Sequence, residues 1–128
     1  MHTHETLIRV RYAETDRMGF LHHAQFFVYF EQARTELLRQ SGLSYREIED
    51  AGHFLVVIDI RCQFKRPAFY DDLLSVRTTV ERITHVKIVH RYEVYRDNVL
   101  LAVGHSTLAC VDRNGRPQPL PPQLRIQP

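Results

Sequence analysis

Residues 12–34 read YAETDRMGFLHHAQFFVYFEQAR, and a change of hydrophobic period inside this stretch decides the fold. On its N-terminal side, over residues 5–14, Ile8, Val10 and Tyr12 alternate with Arg9 and Arg11, the period of two expected of a half-buried strand. On its C-terminal side, over residues 24–40, Phe26, Phe27, Phe30, Ala33, Leu37 and Leu38 recur at steps of three and four, which is helical. Val28 and Tyr29 make the first two turns apolar nearly all round, so this helix is expected to be buried on most sides. Gln32, Thr35, Glu36 and Arg39 give its second half a wet face. Between strand and helix, the loop Thr15-Asp16-Arg17-Met18-Gly19 turns on a glycine that reaches backbone angles other residues avoid.

Beyond the long helix, Gly42 is a terminator. Ser44 and Glu47 then form an S-x-x-E capping box, with Leu43 and Ile48 at the positions of a hydrophobic staple, predicting a short helix that Gly52 ends. From there the pattern is strand-like. Val56, Ile58, Ile60, Cys62 and Phe64 alternate with Val57, Asp59, Arg61 and Gln63 until Arg66-Pro67 closes the run. Leu74, Val76, Thr78 and Val80 begin a second strand, and Val86, Ile88, His90, Tyr92 and Val94 line one face of a third. Asp97-Asn98 suits a tight hairpin into a fourth strand over residues 99–111, apolar on both faces and so expected to be covered on both. The tail, residues 116–128, has too many prolines for a helix or central strand and is expected to lie extended over the surface or fray. Strands segregated from helices in this order indicate an α+β fold, with four or five antiparallel strands curling round one apolar helix.

A chain of 128 residues can bury a core without staples, and one domain over residues 1–128 is expected. A net charge of +2, with bases and acids interleaved, argues against nucleic acid, although Lys65-Arg66 could hold a phosphorylated small molecule. No stretch is apolar for long enough to span a membrane, and the N-terminus lacks a signal-peptide pattern, so a cytoplasmic protein is expected. Cys62 and Cys110 are expected as core-filling thiols.

The chemistry concentrates at the mouth of the long helix. Asp16 and His23 flank a glycine turn that can bring both to the unpaired N–H groups and positive dipole end of the helix. An acid, an imidazole and an oxyanion site together suit acyl transfer to water. The N–H groups near His23 and Ala24 would polarise a carbonyl, while Asp16 activates water or attacks directly. Carboxylates are weak bases at neutral pH, so the substrate should carry a good leaving group, such as a thiolate. On spacing alone, Asp16 could equally be a turn or capping residue and His23 a satisfied core residue. The 8 histidines do not form a metal pattern: His22 and His23 are consecutive and point about 100° apart, not i, i+4. No G-x-S-x-G elbow or Gly-rich phosphate loop is present.

The run RYAETDRMGFLHHAQFFVYFEQARTELLR resembles the opening of the hotdog-fold acyl-CoA thioesterases, in the branch of 4-hydroxybenzoyl-CoA thioesterase and the Tol–Pal-associated acyl-CoA thioesterases. The resemblance rests on Thr15-Asp16, Gly19, His23-Ala24, Phe26-Phe27 and Glu31-Gln32-Ala33-Arg34, with RPAFYDDLLSV as a second matching stretch. His22 departs from it, standing where relatives usually carry an aromatic residue. The resemblance implies a sheet wrapped round the helix, dimers with a continuous sheet that often pair into homotetramers, and active sites at the dimer interface. It implies hydrolysis of acyl-CoA to CoA and a carboxylic acid without a cofactor, with Asp16 and His23 catalytic. Gly19, Ala24, Phe27 and Glu31 are the substrate-binding candidates, and Lys65, Arg66, Arg82 and Lys87 are candidates for the CoA phosphates. The alternatives are a hotdog hydratase or dehydratase and a non-catalytic acyl-CoA-binding module.

Overall fold

The computed structural model describes residues 2–125. Strand β1 is Thr3–Arg9, followed by a 3-10 turn at Tyr12–Glu14, the long helix α1 at His23–Gln40 and the short helix α2 at Tyr45–Asp50. Strands β2 (Phe54–Phe64), β3 (Leu73–Ile83), β4 (Lys87–Arg96) and β5 (Val99–Val111) complete one antiparallel sheet in the order β1-β3-β4-β5-β2. One row across it reads Thr6, Val76, Val94, Ala102 and Phe64.

The sheet holds α1 against one face. Phe26, Tyr29, Phe30 and Ala33 of the helix are buried with Ile8, Leu74, Val76, Tyr92, Val94, Leu101 and Ala102 of the strands. Gly104 sets the closest approach: a methyl group there would lie 2.3 Å from a Phe30 ring carbon. That ring also stacks on Tyr92, with centroids 4.3 Å apart and planes 10° from parallel. Ser44 caps α2 by accepting the Glu47 N–H, and Leu43 packs with Ile48 in a second apolar cluster.

Three elements depart from their sequence patterns. The first strand stops at Arg9, because Val10 exchanges backbone hydrogen bonds with the turn before β3, and Tyr12, expected on the buried face, is 77% exposed. Strand β2 was expected to be half buried, yet Val56, Val57, Ile58, Ile60 and Phe64 are all exposed, since β2 is an edge strand with one side unpaired. In β5 the face toward α1 is buried and the other only half-buried within one chain. The proline-rich segment does not merely lie on the surface: Leu120 and Leu124 are buried with Ile48, Ile88 and Cys110, and Pro122–Leu124 forms a 3-10 turn. Residues 126–128, the rest of the expected tail, lie outside the described residues. Both cysteines are free thiols, and burial pushes Cys62 up to about 11.

Candidate active site

The loop between β1 and α1 closes on itself like a small hairpin. Asp16 N–H donates to the Phe20 carbonyl (2.7 Å), Gly19 N–H returns to the Asp16 carbonyl (3.0 Å), and Gly19 takes a φ of 83° to make the turn. Asp16 Oδ1 accepts the N–H groups of Met18 (2.9 Å) and Phe20 (3.1 Å), which fixes the carboxylate. Its Oδ2 has no hydrogen bond among the described residues. The loop is tied to the chain ahead of β3 by Leu21 N–H donating to the Ala68 carbonyl at 2.7 Å.

Helix α1 starts at His23 with His22 as its N-cap. His22 Nδ1 accepts the Ala24 N–H at 3.1 Å, so the ring is the tautomer unprotonated at Nδ1. This corrects the expectation for Ala24, whose N–H is already occupied. The His23 N–H has no acceptor among the described residues and sits at the positive end of an 18-residue helix. The rings of His22 and His23 stack with centroids 4.2 Å apart.

Asp16 and His23 line one cleft of about 350 Å³ with Phe20, Leu21, Phe26, Phe64, Lys65, Arg66 and Pro67. Both chemical groups and both cations are exposed. Of the substrate-binding candidates, Lys65 and Arg66 are at this cleft, and Gly19 shapes its loop without lining it. Phe27 is outside it. Consecutive helical residues diverge by about 100°, so Phe26 meets Phe64 edge-on at 5.1 Å while Phe27 turns toward Phe30. Glu31 is exposed on α1 and does not line the cleft. Arg82 pairs with Val89, and Lys87 with Ala109, at the end of the sheet opposite the row that ends in Phe64. Within one chain neither reaches the cleft.

The sequence pattern of the thioesterase-like superfamily matches residues 10–127. The chain belongs to that superfamily. The acyl-CoA thioesterase YbgC of Haemophilus influenzae is 32% identical over 106 residues, covering 82% of this chain and 78% of that protein. The acyl-CoA thioester hydrolase YbgC of Escherichia coli is 29% identical over 119 residues, covering 91% of this chain and 89% of its relative. Among solved structures, the DHNA-CoA thioesterase of Staphylococcus aureus superposes with a TM-score of 0.90 at 32% identity, over 94% of this chain and 82% of that one. The fold is therefore the hotdog fold of these thioesterases, a five-stranded antiparallel sheet round one long helix.

Behind this cleft is a buried support that the sequence did not reveal. Glu14, 6% exposed, accepts the Tyr29 hydroxyl (2.5 Å), the Arg11 N–H (2.9 Å) and the Arg11 guanidinium (3.1 Å), while its own carbonyl accepts the His22 N–H. Burial raises the Glu14 carboxyl, but the hydrogen bonds and the Arg11 charge outweigh it and hold the group below its usual range. Tyr29 is pushed the other way, first by burial and then by the hydrogen bond and charge of Glu14. The pair clamps the 3-10 turn before Asp16 to the second turn of α1. Neither residue stands out in a pattern search, because Glu14 falls in register with the apolar face of the expected strand.

Proposed function

We infer that the protein hydrolyses acyl-CoA thioesters in this cleft, using Asp16 and the His23 N–H. The observation that carries the reading is that Asp16, whose carboxylate is fixed with one oxygen free, and His23, whose N–H is open at a helix N-terminus, line the same cavity. The His23 N–H donates to the thioester carbonyl oxygen and stabilises the negative charge that develops there. Asp16 Oδ2 either takes a proton from the attacking water or bonds to the carbonyl carbon, forming a mixed anhydride that water then opens. In both routes the C–S bond breaks and CoA leaves as the thiolate, so no cofactor is needed. Lys65 and Arg66 at the rim are suited to the CoA phosphates, and Phe20, Phe26 and Phe64 offer an apolar wall to the acyl group.

The half-open cleft supports a dimeric enzyme. Phe64 ends the edge strand β2, so pairing of two β2 edges would bring a second chain to the cleft and extend the sheet across both. Further pairing into a tetramer, as the resemblance implies, would cover the half-buried outer face of β5.

Thiol release from a panel of acyl-CoAs, compared with Asp16→Asn, tests the chemistry. Asparagine keeps an oxygen for the Met18 and Phe20 N–H groups, so the fold should hold while turnover falls by about 10²–10⁴-fold. Undiminished release from the variant would exclude Asp16. Loss of an enoyl chromophore without thiol release would favour a hydratase, and tight binding without turnover of any acyl-CoA a binding module.

A further inference from the structure

A second cavity, of about 180 Å³, lies at the other end of α1, between that helix, α2, the strands and the C-terminal segment. Arg34 reaches it about 16 Å along the helix axis from His23, at 1.5 Å per residue. The walls are mostly apolar, with Leu37, Leu38, Leu55, Val80, Ile88 and Leu124 among them, while Arg34, Tyr45 and His90 bring polar groups to the same space. A cavity of about 150 Å³ is enough to hold benzene, so this one has room for a ring or a short alkyl tail.

The polar groups are what make it a site rather than a packing defect. Arg34 is only 8% exposed, yet no carboxylate lies within ion-pairing distance among the described residues. Glu31, one turn earlier, is exposed and makes no ion pair with it. The guanidinium donates, at a long 3.5 Å, to Tyr92, whose own hydroxyl is engaged with Ser106 at 2.6 Å, and its charge also acts on the Tyr45 hydroxyl. His90 is 3% exposed, and its Nδ1 has no hydrogen-bond partner among the described residues. Burial and the nearby Arg34 push that imidazole down to about 3, so it stays neutral beside a permanent cation. A buried charge without a counter-charge is costly, and a ligand anion is the group that would offset it.

We propose that this cavity is a second ligand site, separate from the catalytic cleft, for a small monocarboxylic acid whose carboxylate pairs with Arg34 and whose apolar tail lies among Leu37, Leu55 and Val80. Tyr45 and His90 line the same cavity and bring it a hydroxyl and an imidazole. Free carboxylic acids are the class of product that thioester hydrolysis releases, although the site itself does not depend on turnover.

Calorimetric titration of the intact protein with octanoate, and with 1-octanol as its uncharged counterpart, tests this. The expected result is one octanoate per chain, with much weaker binding of the alcohol. Asp16→Asn should bind octanoate as the parent does, so loss of catalysis and loss of this site read out separately. Arg34→Met should weaken octanoate on the order of a hundredfold. Val80→Phe, which fills the cavity and keeps the cation, should abolish binding and gives the answer should Arg34→Met not fold. Octanoate binding that persists in Val80→Phe, or that is lost on Lys65→Ala with Arg66→Ala while surviving Arg34→Met, would assign the ligand to the catalytic cleft and overturn the proposal. So would an absence of binding to the parent protein at millimolar octanoate.

Discussion

Glu14 and Tyr29 show how much a cleft of exposed groups depends on a buried hydrogen bond behind it. Because the folded Glu14 carboxyl lies below its ordinary value near 4.5, it contributes stability that is present above that pH and lost as pH falls through the folded value. Glu14→Gln should therefore melt lower than the parent at neutral pH, with the gap closing below about 4.5; thermal melts across pH check this. A constant gap would mean that Glu14 acts through packing alone. Tyr29→Phe leaves the carboxylate short of a donor and should cost about 1–3 kcal/mol. At this scale Asp16, Gly19 and His23 were legible in sequence because their geometry is local: a turn and a helix start separated by a few residues. The pair Glu14 and Tyr29 was not, since a contact 15 residues apart through a turn leaves no periodic trace. Phe27 was assigned one position away from Phe26, which lines the cleft, because a single helical step rotates a side chain out of a site, and the Ala24 N–H expected beside that of His23 is taken by His22.

For the elements, helix α1 and strand β5 could be read almost to their ends, because long periodic runs average out local noise. Strand β1 could not: its alternation continued through Tyr12, but tertiary hydrogen bonds to the turn before β3 won over the pattern. The contact between α1 and β5 carries a prediction of its own. Phe30 is fully buried and held against Tyr92, so a methyl group at Gly104 has no void to enter. Gly104→Ala should lose about 1–3 kcal/mol through overpacking, read in urea unfolding as a lower midpoint with an unchanged slope. An unchanged midpoint would mean that helix and sheet separate more easily than this packing implies.

Across the whole molecule, the edge strand β2 exposes Val56, Val57, Ile58, Ile60 and Phe64 to water in one chain. A lysine at the centre of that edge would oppose the pairing proposed above by placing like charges close together. Ile58 is 51% exposed, so Ile58→Lys should leave the stability of the single chain nearly unchanged while shifting light scattering from dimer to monomer. Thiol release should fall with the dimer, as the cleft loses its second wall. A variant that stays dimeric would place the interface elsewhere.

The sequence by itself determined the element order, the α+β class and the local unit of loop glycine, Asp16 and helix start, because propensity, periodicity and turn chemistry act over a few neighbouring residues. Only the tertiary structure decided that β2 lies at the edge, that Lys65 and Arg66 join Asp16 while Arg82 and Lys87 do not, and that Arg34 is buried with no ion pair among the described residues. Those outcomes depend on which strands become neighbours, and strand order is set by the packing of the whole core rather than by any one segment.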